Sequence, residues 1–230
     1  MTTQKKIVLA NLKAYRSPTQ VEQWCDSFLA SLRNVPETLE IVLAVPDLAM
    51  ERAFEKIKGR SGISLAAQAL SSFPQGSYTG STPAAWLRDL VRYSLAGHHE
   101  RRTYFHESVQ DVARQVHEAL AEEIIPIICV EGEYFHQQLA ALSYEEREQV
   151  WWAFTPQTET ALALRRDLPI ITEAVAKMGQ QSGKRPVLYG GGITSENGGA
   201  LWAVPGISGI MAGAACLDAL VFASLIQRLR

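Results

Sequence analysis

The sequence predicts an α/β fold in which residues 1–230 form a single domain, a closed (β/α)8 barrel. Eight short apolar runs of strand length alternate with helix-like segments, and no linker or low-complexity tract interrupts them. Strict alternation of strand and helix implies parallel strands joined by right-handed crossovers, and eight such units close a barrel. The predicted strands are Ile7–Ala10, Ile41–Val45, Ile63–Ala67, Tyr93–Ala96, Ile124–Cys129, Val150–Phe154, Pro186–Tyr189 and Ile207–Ala212.

The helices between these strands are predicted from capping residues and apolar spacing. Ser17 can cap a helix that has Pro18 at its first position, and apolar residues recur at helical spacing from Val21 to Leu32. Thr82-Pro83 predicts the start of another helix, which carries apolar residues from Trp86 to Val91. Each helix would therefore have one apolar stripe to pack against the strands.

Composition and charge exclude several classes of protein. The 22 Lys and Arg residues nearly balance the 24 Asp and Glu residues, giving a net charge of −2, which argues against a nucleic-acid or membrane-surface protein. Cys25, Cys129 and Cys216 lie far apart, which fits neither a disulfide framework nor a zinc site. No apolar stretch approaches the roughly 20 residues of a membrane span, and Met1–Lys6 leads directly into a strand. We therefore expect a cytoplasmic protein with no metal site and no cofactor.

In a barrel of this kind, functional residues follow the carboxyl ends of the strands. The polar, charged and glycine residues that could bind or react with a ligand do lie there. Asn11 and Lys13 follow the first predicted strand, His98–Arg102 follows the fourth, and Gly190–Gly192 follows the seventh. The sequence thus indicates a polar site at one end of the barrel.

Several motifs, taken in chain order, resemble those of the triosephosphate isomerase family. The most specific are Asn-X-Lys at 11–13 and Gly-His-X-Glu-Arg-Arg at 97–102. The resemblance extends over essentially the whole chain. The matching segments are Ala10–Lys13, Ala66–Gln68, Tyr78–Gly80, Gly97–Arg102, Cys129–Val130 and Leu188–Gly191.

The resemblance implies an isomerase that interconverts small aldose and ketose phosphates. It assigns Lys13 as a fixed positive charge placed by Asn11, His98 as a neutral electrophile, and Glu100 as a neighbouring carboxylate. It also implies a phosphate cradle of backbone N–H groups. The predicted cradle residues are Gly191, Gly192, Ala212 and Gly213.

The expected general base is missing from the matching position. The family places a glutamate at the end of strand six in the string Ala-Tyr-Glu-Pro, whereas this chain has Ala-Phe-Thr-Pro, with Thr155 at the base position. A threonine hydroxyl cannot take a proton from carbon near pH 7. Glu145 and Glu146 do not rescue the motif, because no apolar strand precedes them.

Two neighbouring features depart from the family as well. The segment from Gln157 to Asp167 has no glycine, although the family's lid over the site contains one. His99 replaces a small residue beside the predicted electrophile. Isomerase activity is therefore expected to be weak or lost.

Three functions stay open at this point. The first is an inactive or very weak isomerase homologue that binds a small phosphorylated sugar or inorganic phosphate. The second is an active triose- or tetrose-phosphate isomerase with a substitute base such as Glu159. The third is an interaction module without a small-molecule site. The loop Gln75–Gly80 resembles the finger that family members insert into a partner subunit, so the resemblance also implies a homodimer.

Overall fold

The computed structural model describes residues 5–33, 35–156 and 167–229. Eight parallel strands form a closed barrel in which each strand is hydrogen-bonded to the next and β8 returns to β1. The strands are β1 (Lys6–Asn11), β2 (Leu39–Val45), β3 (Ile63–Ala67), β4 (Tyr93–Ala96), β5 (Ile125–Val130), β6 (Trp151–Phe154), β7 (Val187–Tyr189) and β8 (Ile207–Ala212). The predicted fold class and all eight predicted strands are confirmed.

Helices surround the barrel. In the part of the chain that the structure describes they are α1 (Pro18–Ser31), α2 (Met50–Ile57), α3 (Ala84–Leu87), α4 (His99–Tyr104), α5 (Val109–Ala121), α6 (Glu133–Ala141), α7 (Tyr144–Arg147), α8 (Leu168–Gln181), α9 (Gly198–Trp202) and α10 (Ala219–Gln227). Short 3-10 turns occupy Asp47–Ala49 and Ala214–Cys216. Within the described ranges, every helix is too short or too polar to pass through a bilayer.

The caps of these helices explain where they begin. Ser17 accepts a hydrogen bond from the Gln20 amide and forms the predicted cap of α1, with Pro18 as its first residue. The helix predicted after Thr82-Pro83 is shorter than expected. Its single turn ends at Leu87, whose carbonyl accepts hydrogen bonds from two following amides, and the chain then enters β4.

The core has two layers that follow the alternation of side chains along each strand. Trp151 points into the barrel, where its ring packs edge-on against Tyr93 at a centroid distance of 6.0 Å. Trp152 points outward and packs against Phe135 at 5.0 Å. The two consecutive tryptophans therefore face opposite sides, as alternation requires. Because side chains fill the interior, a ligand can enter only at an end of the barrel.

The end where the strands begin is closed by a buried polar network around Glu40. Its carboxylate accepts hydrogen bonds from Ser64 Oγ at 2.6 Å, from Tyr93 Oη at 3.0 Å and from Arg92 Nη1 at 3.3 Å. Burial, followed by the Glu40 charge, raises the pKa of Tyr93 above its usual value, so the phenol remains a donor. This network satisfies its own polar groups and belongs to the packing of the barrel.

The first and last parts of the chain close the ring together. Ile7 of β1 pairs with Gly209 of β8, and a side chain at Gly209 would collide with the Ile7 carbonyl oxygen. Outside the strands, Trp24 and Phe28 of α1 pack against Phe222 of α10, with ring centroids 6.1 and 5.4 Å apart. The seam between β8 and β1 is thus sealed by backbone pairing inside and by aromatic rings outside.

Candidate active site

A cavity of about 230 Å³ lies at the carboxyl ends of the strands. It brings together Asn11, Lys13, His98, Thr155 and the glycines that follow β7 and β8. Its lining consists of Asn11, Lys13, His98, His99, Thr155, Pro156, Gly190, Gly191, Gly192, Ile193, Met211, Gly213 and Ala214. A larger groove of about 500 Å³ lies near the start of β3 and β4, but it gathers no comparable set of groups. The chemistry therefore points to the smaller cavity.

Lys13 is held in an uncommon backbone conformation at the cavity mouth. Its φ angle is +51°, in the left-handed region that costs a non-glycine residue roughly 1–3 kcal/mol. Asn11 Oδ1 accepts a hydrogen bond from the Lys13 amide at 3.1 Å, and Gln68 Nε2 donates to the Lys13 carbonyl at 3.2 Å. Gln68 is itself fixed by a second bond to the Ala44 carbonyl. Asn11 and Gln68 thus position Lys13.

Glu100 fixes the far end of the Lys13 side chain. Lys13 Nζ lies 2.5 Å from Glu100 Oε1, and both side chains are between a quarter and a third exposed. Burial opposes ionisation of Glu100, but the Lys13 hydrogen bond and the neighbouring positive charge outweigh it and hold the pKa of Glu100 below its usual value. The Glu100 carboxyl group is therefore ionised at neutral pH. Glu100 lies behind Lys13 and does not line the cavity.

His98 is a neutral hydrogen-bond donor at the amino end of α4. Its Nδ1 accepts a hydrogen bond from the Glu100 amide at 3.3 Å, which makes it the cap of this helix. Burial, reinforced by repulsion from Lys13 and from His99 when that ring is protonated, lowers the pKa of His98 to about 4. Because Nδ1 accepts, the proton of the neutral ring is on Nε2. The imidazole can thus donate to a carbonyl or enediolate oxygen without itself carrying charge.

Thr155 follows β6 directly and lies in the cavity wall. Its amide extends the sheet by donating to the Val130 carbonyl at 3.0 Å, and the residue is only 3% exposed. The segment around Glu145 and Glu146 forms α7, capped by Ser143, so the predicted register of strand six is confirmed. In the described lining of the cavity no carboxylate is present.

Glycines form the part of the wall next to Thr155. A side chain at Gly190 would come within 2.9 Å of Met211 Cε and 3.0 Å of Thr155 Cγ2, so only glycine fits without a shift there. Gly192 has a φ angle of +53°, and Asn197 Nδ2 donates to its carbonyl at 2.9 Å. Gly190 and Gly192 therefore keep the backbone close to the cavity.

Three of the four residues of the predicted phosphate cradle line the cavity, and Ala212 does not. Gly191, Gly192 and Gly213 line the cavity, and a Cβ at Gly213 would lie 4.0 Å from Lys13 Cε. Ala212 is fully buried in the outer layer of the core, because Met211 is the inward-facing residue at the end of β8. Ala214 lines the cavity instead.

One group of side chains in the described part of the chain has the spacing of metal ligands. The donor atoms of His98, His99 and Glu100 lie within 4.8 Å of one another. However, Glu100 is paired with the Lys13 ammonium group, and His98 Nδ1 accepts a backbone hydrogen bond. Two of the three donors are thus already engaged, and we assign no metal ion to this cluster.

The sequence identifies His99 only as a residue that departs from the family's motif. In the structure its ring lies beside His98, at a centroid distance of 4.4 Å, and it lines the same cavity. No sequence signal distinguishes a histidine turned into the site from one turned away. The predicted substitute base Glu159 lies outside the described residues, as does the segment from Gln157 to Asp167 except for Asp167 itself.

Comparisons with known proteins agree with this geometry. The sequence profile of the family described as triosephosphate isomerase matches residues 6–163 and 148–229. The triosephosphate isomerase of Delftia acidovorans is 33% identical over 208 residues, covering 81% of this chain and 84% of that protein. That of a Synechococcus species is 28% identical over 246 residues, covering 96% and 94%. The solved triosephosphate isomerase of Bartonella henselae has the same fold, with a TM-score of 0.79 at 23% identity over 97% of this chain and 98% of that one. The chain therefore belongs to the triosephosphate isomerase family.

Proposed function

We propose that this protein binds a small phosphorylated sugar in the cavity at the carboxyl end of the barrel, and that its isomerase turnover is weak or lost. The observation that carries the proposal is the composition of the described lining. It retains a charged Lys13 and a neutral His98, yet it has Thr155 where a general base is expected.

Binding is supported by the match between these groups and a phosphosugar. An ammonium group attracts a phosphate, and the backbone N–H groups of glycine loops donate hydrogen bonds to phosphate oxygens that approach closely. The neutral imidazole of His98 suits a carbonyl oxygen on which negative charge develops. A cavity of about 230 Å³ is small, which favours a metabolite with few carbon atoms.

Weak turnover is supported by the chemistry of the base. Interconversion of an aldose and a ketose requires removal of a proton from carbon, and a positioned base contributes about 10²- to 10⁴-fold to such a step. That factor corresponds to roughly 3–5 kcal/mol of transition-state stabilisation. The hydroxyl of Thr155 supplies none of it, because its pKa lies far above neutral pH.

A coupled assay with glyceraldehyde 3-phosphate tests the catalytic part. We expect kcat/KM of Thr155→Glu to exceed that of the wild type by at least about tenfold, since a carboxylate is restored beside the cavity. Thr155→Gln has nearly the same shape without a base and serves as the matched control. Wild-type turnover near the diffusional ceiling of about 10⁸ M⁻¹s⁻¹ would refute the proposal of weak activity.

Calorimetry with glycerol 3-phosphate tests the binding part. This probe keeps the phosphate and lacks a carbonyl, so it cannot react. Saturable binding is expected, and competition by inorganic phosphate would place the anion in the same cavity. Absence of any binding would refute the proposed phosphosugar site, and it would favour an interaction module.

We also propose that the protein forms a homodimer through the loop Gln75–Gly80. The loop is preformed, because Tyr78 stacks on Phe73 with ring centroids 4.5 Å apart and Ser81 donates to the Tyr78 carbonyl. Tyr78 and Phe73 are nevertheless about 40% exposed, as expected for rings that a partner would cover. Sedimentation equilibrium of the wild type and of Tyr78→Asp tests this, and a wild-type monomer at micromolar concentration would refute it.

A further inference from the structure

His99 and Thr155 lie together on the wall between two cavities. Both line the main cavity, and both line a second cavity of about 180 Å³ that adjoins it. Within the described part of the chain, no other residue is common to the two linings. The side chain of His99 is therefore placed next to the position from which a base is missing.

The imidazole of His99 has both nitrogens uncommitted among the described residues. Its Nδ1 is buried without a hydrogen-bond partner. Its Nε2 is 3.9 Å from Glu100 Oε1, which is beyond hydrogen-bond range. A histidine retained for structure alone normally satisfies its buried nitrogen. Because Nδ1 is buried and the side chain is 32% exposed, Nε2 is the nitrogen of this ring that can accept a proton from a ligand.

The surrounding charges suit a base that is neutral before the reaction and cationic during it. Burial, assisted by the Lys13 charge, lowers the pKa of His99 below its usual value, while Glu100 and Glu131 oppose that shift. The ring is therefore neutral at pH 7 and has a free lone pair. Once it is protonated, the nearby Glu100 carboxylate would stabilise the imidazolium. Among the described residues, Arg102 and Glu131 are the oppositely charged groups that line the second cavity.

We propose that His99 is the general base that sustains the weak turnover of this protein, a role that the family's motif gives to the residue at position 155. The inference rests on the proposed function, because it requires a phosphosugar in the main cavity. It also explains two departures at once: a threonine whose hydroxyl cannot act as a base, and a histidine that replaces a small residue beside the predicted electrophile.

The reaction balances without any further reactant. His99 Nε2 takes a proton from carbon 1 of the ketose phosphate, and the electrons of the broken C–H bond form a double bond to carbon 2. The electrons of the carbonyl move to its oxygen, where the Nε2–H of His98 and the charge of Lys13 stabilise them. His98 passes the hydroxyl proton of carbon 1 to the oxygen on carbon 2. The protonated His99 then returns its proton to carbon 2, which gives the aldose.

Exchange of the carbon-bound proton of dihydroxyacetone phosphate in D₂O, followed by NMR, measures the base directly. We expect His99→Ser and His99→Gln each to slow enzymatic exchange by at least about 100-fold. His117→Ser is the matched control, because His117 is 71% exposed on α5, and it should exchange at the wild-type rate. Both His99 variants should bind glycerol 3-phosphate within about threefold of the wild type, which shows that they fold.

Two more variants separate His99 from the alternatives. The double variant His99→Ser/Thr155→Glu should recover exchange, and its acid limb should lie at lower pH than that of the wild type, because a carboxylate titrates below an imidazole. Glu159→Gln should exchange like the wild type, and loss of exchange in this variant alone would assign the base to Glu159 and overturn the proposal.

The outcomes also distinguish this proposal from the one on which it rests. If the wild type binds glycerol 3-phosphate and the His99 variants exchange at the wild-type rate, only the assignment of His99 fails. If the wild type binds the probe and shows no exchange above buffer, His99 is likewise not a base. If the probe does not bind the wild type, the proposed phosphosugar site itself fails.

Discussion

Replacement of His98 by asparagine should make the protein less sensitive to mild acid. Asparagine is a favoured helix cap, so its side-chain oxygen can still accept the Glu100 amide, but it does not titrate. The wild-type histidine is 7% exposed, and its pKa is lowered from 6.5 to about 4. The substitution therefore removes one buried titratable group and retains the local hydrogen bond.

The expected magnitude follows from this shift. Between pH 6.5 and 4 the unfolded chain protonates His98 and the folded chain does not, so the free energy of unfolding decreases as the pH falls through this window. Above pH 6.5 the histidine is neutral in both states and has no such effect. The full shift corresponds to about 3 kcal/mol, of which about 2 kcal/mol is reached at pH 5.

Urea unfolding followed by tryptophan fluorescence provides the assay. Both proteins are measured at about pH 7.5 and pH 5 and at one fixed protein concentration. The wild type should lose about 2 kcal/mol more than His98→Asn between these conditions. Other titrating groups, including His99, are present in both proteins, so their effects largely cancel in the difference. Equal losses in the two proteins would show that His98 is not held neutral by burial.

Three further substitutions, two of them paired with a control substitution, test the site and the packing. Lys13→Met should weaken glycerol 3-phosphate binding by at least about tenfold in calorimetry, because the phosphate loses its cation, and unchanged affinity would contradict the role of Lys13. Gly190→Ala should lower the free energy of unfolding by about 1–3 kcal/mol, because a Cβ collides there. Gly179→Ala, in an open part of α8, should instead raise it by about 0.5–1 kcal/mol, and equal effects would refute the collision. Trp152→Ala should destabilise by about 3–5 kcal/mol in urea unfolding, because the ring is fully buried. Trp86→Ala, at a ring 61% exposed, should change stability by less than about 0.5 kcal/mol, and a similar loss in both would contradict this account of the core.

The barrel could be predicted from sequence because its strands are buried on both faces. Such strands form continuous apolar runs, as in Ile41–Val45, and the alternation of Trp151 and Trp152 followed from the geometry of a strand alone. The length of α3 could not be predicted in this way. Leu90 and Val91 continue the apolar spacing of that helix, but the chain has to turn after Leu87 to begin β4.

Most residues that line the candidate cavity could be predicted from the sequence, whereas their contacts could not. Lys13 and Glu100 are separated by 87 positions, and only the closed barrel brings their charged atoms within 2.5 Å. That His99 Nδ1 has no hydrogen-bond partner among the described residues depends on every neighbouring group at once. Local patterns carry no information about such packing, so the proposed base could be recognised only in three dimensions.

The seam between β8 and β1 also constrains how the chain is synthesised. The edge of β1 that pairs with β8 has no final partner until about 200 further residues have been made, because Ile7 pairs with Gly209. At typical ribosomal speeds of about 5–20 residues per second, that edge waits roughly 10–40 s for its partner. A nascent chain of this protein therefore exposes an open apolar edge for most of its translation, and a chaperone that shields such an edge would act during this interval.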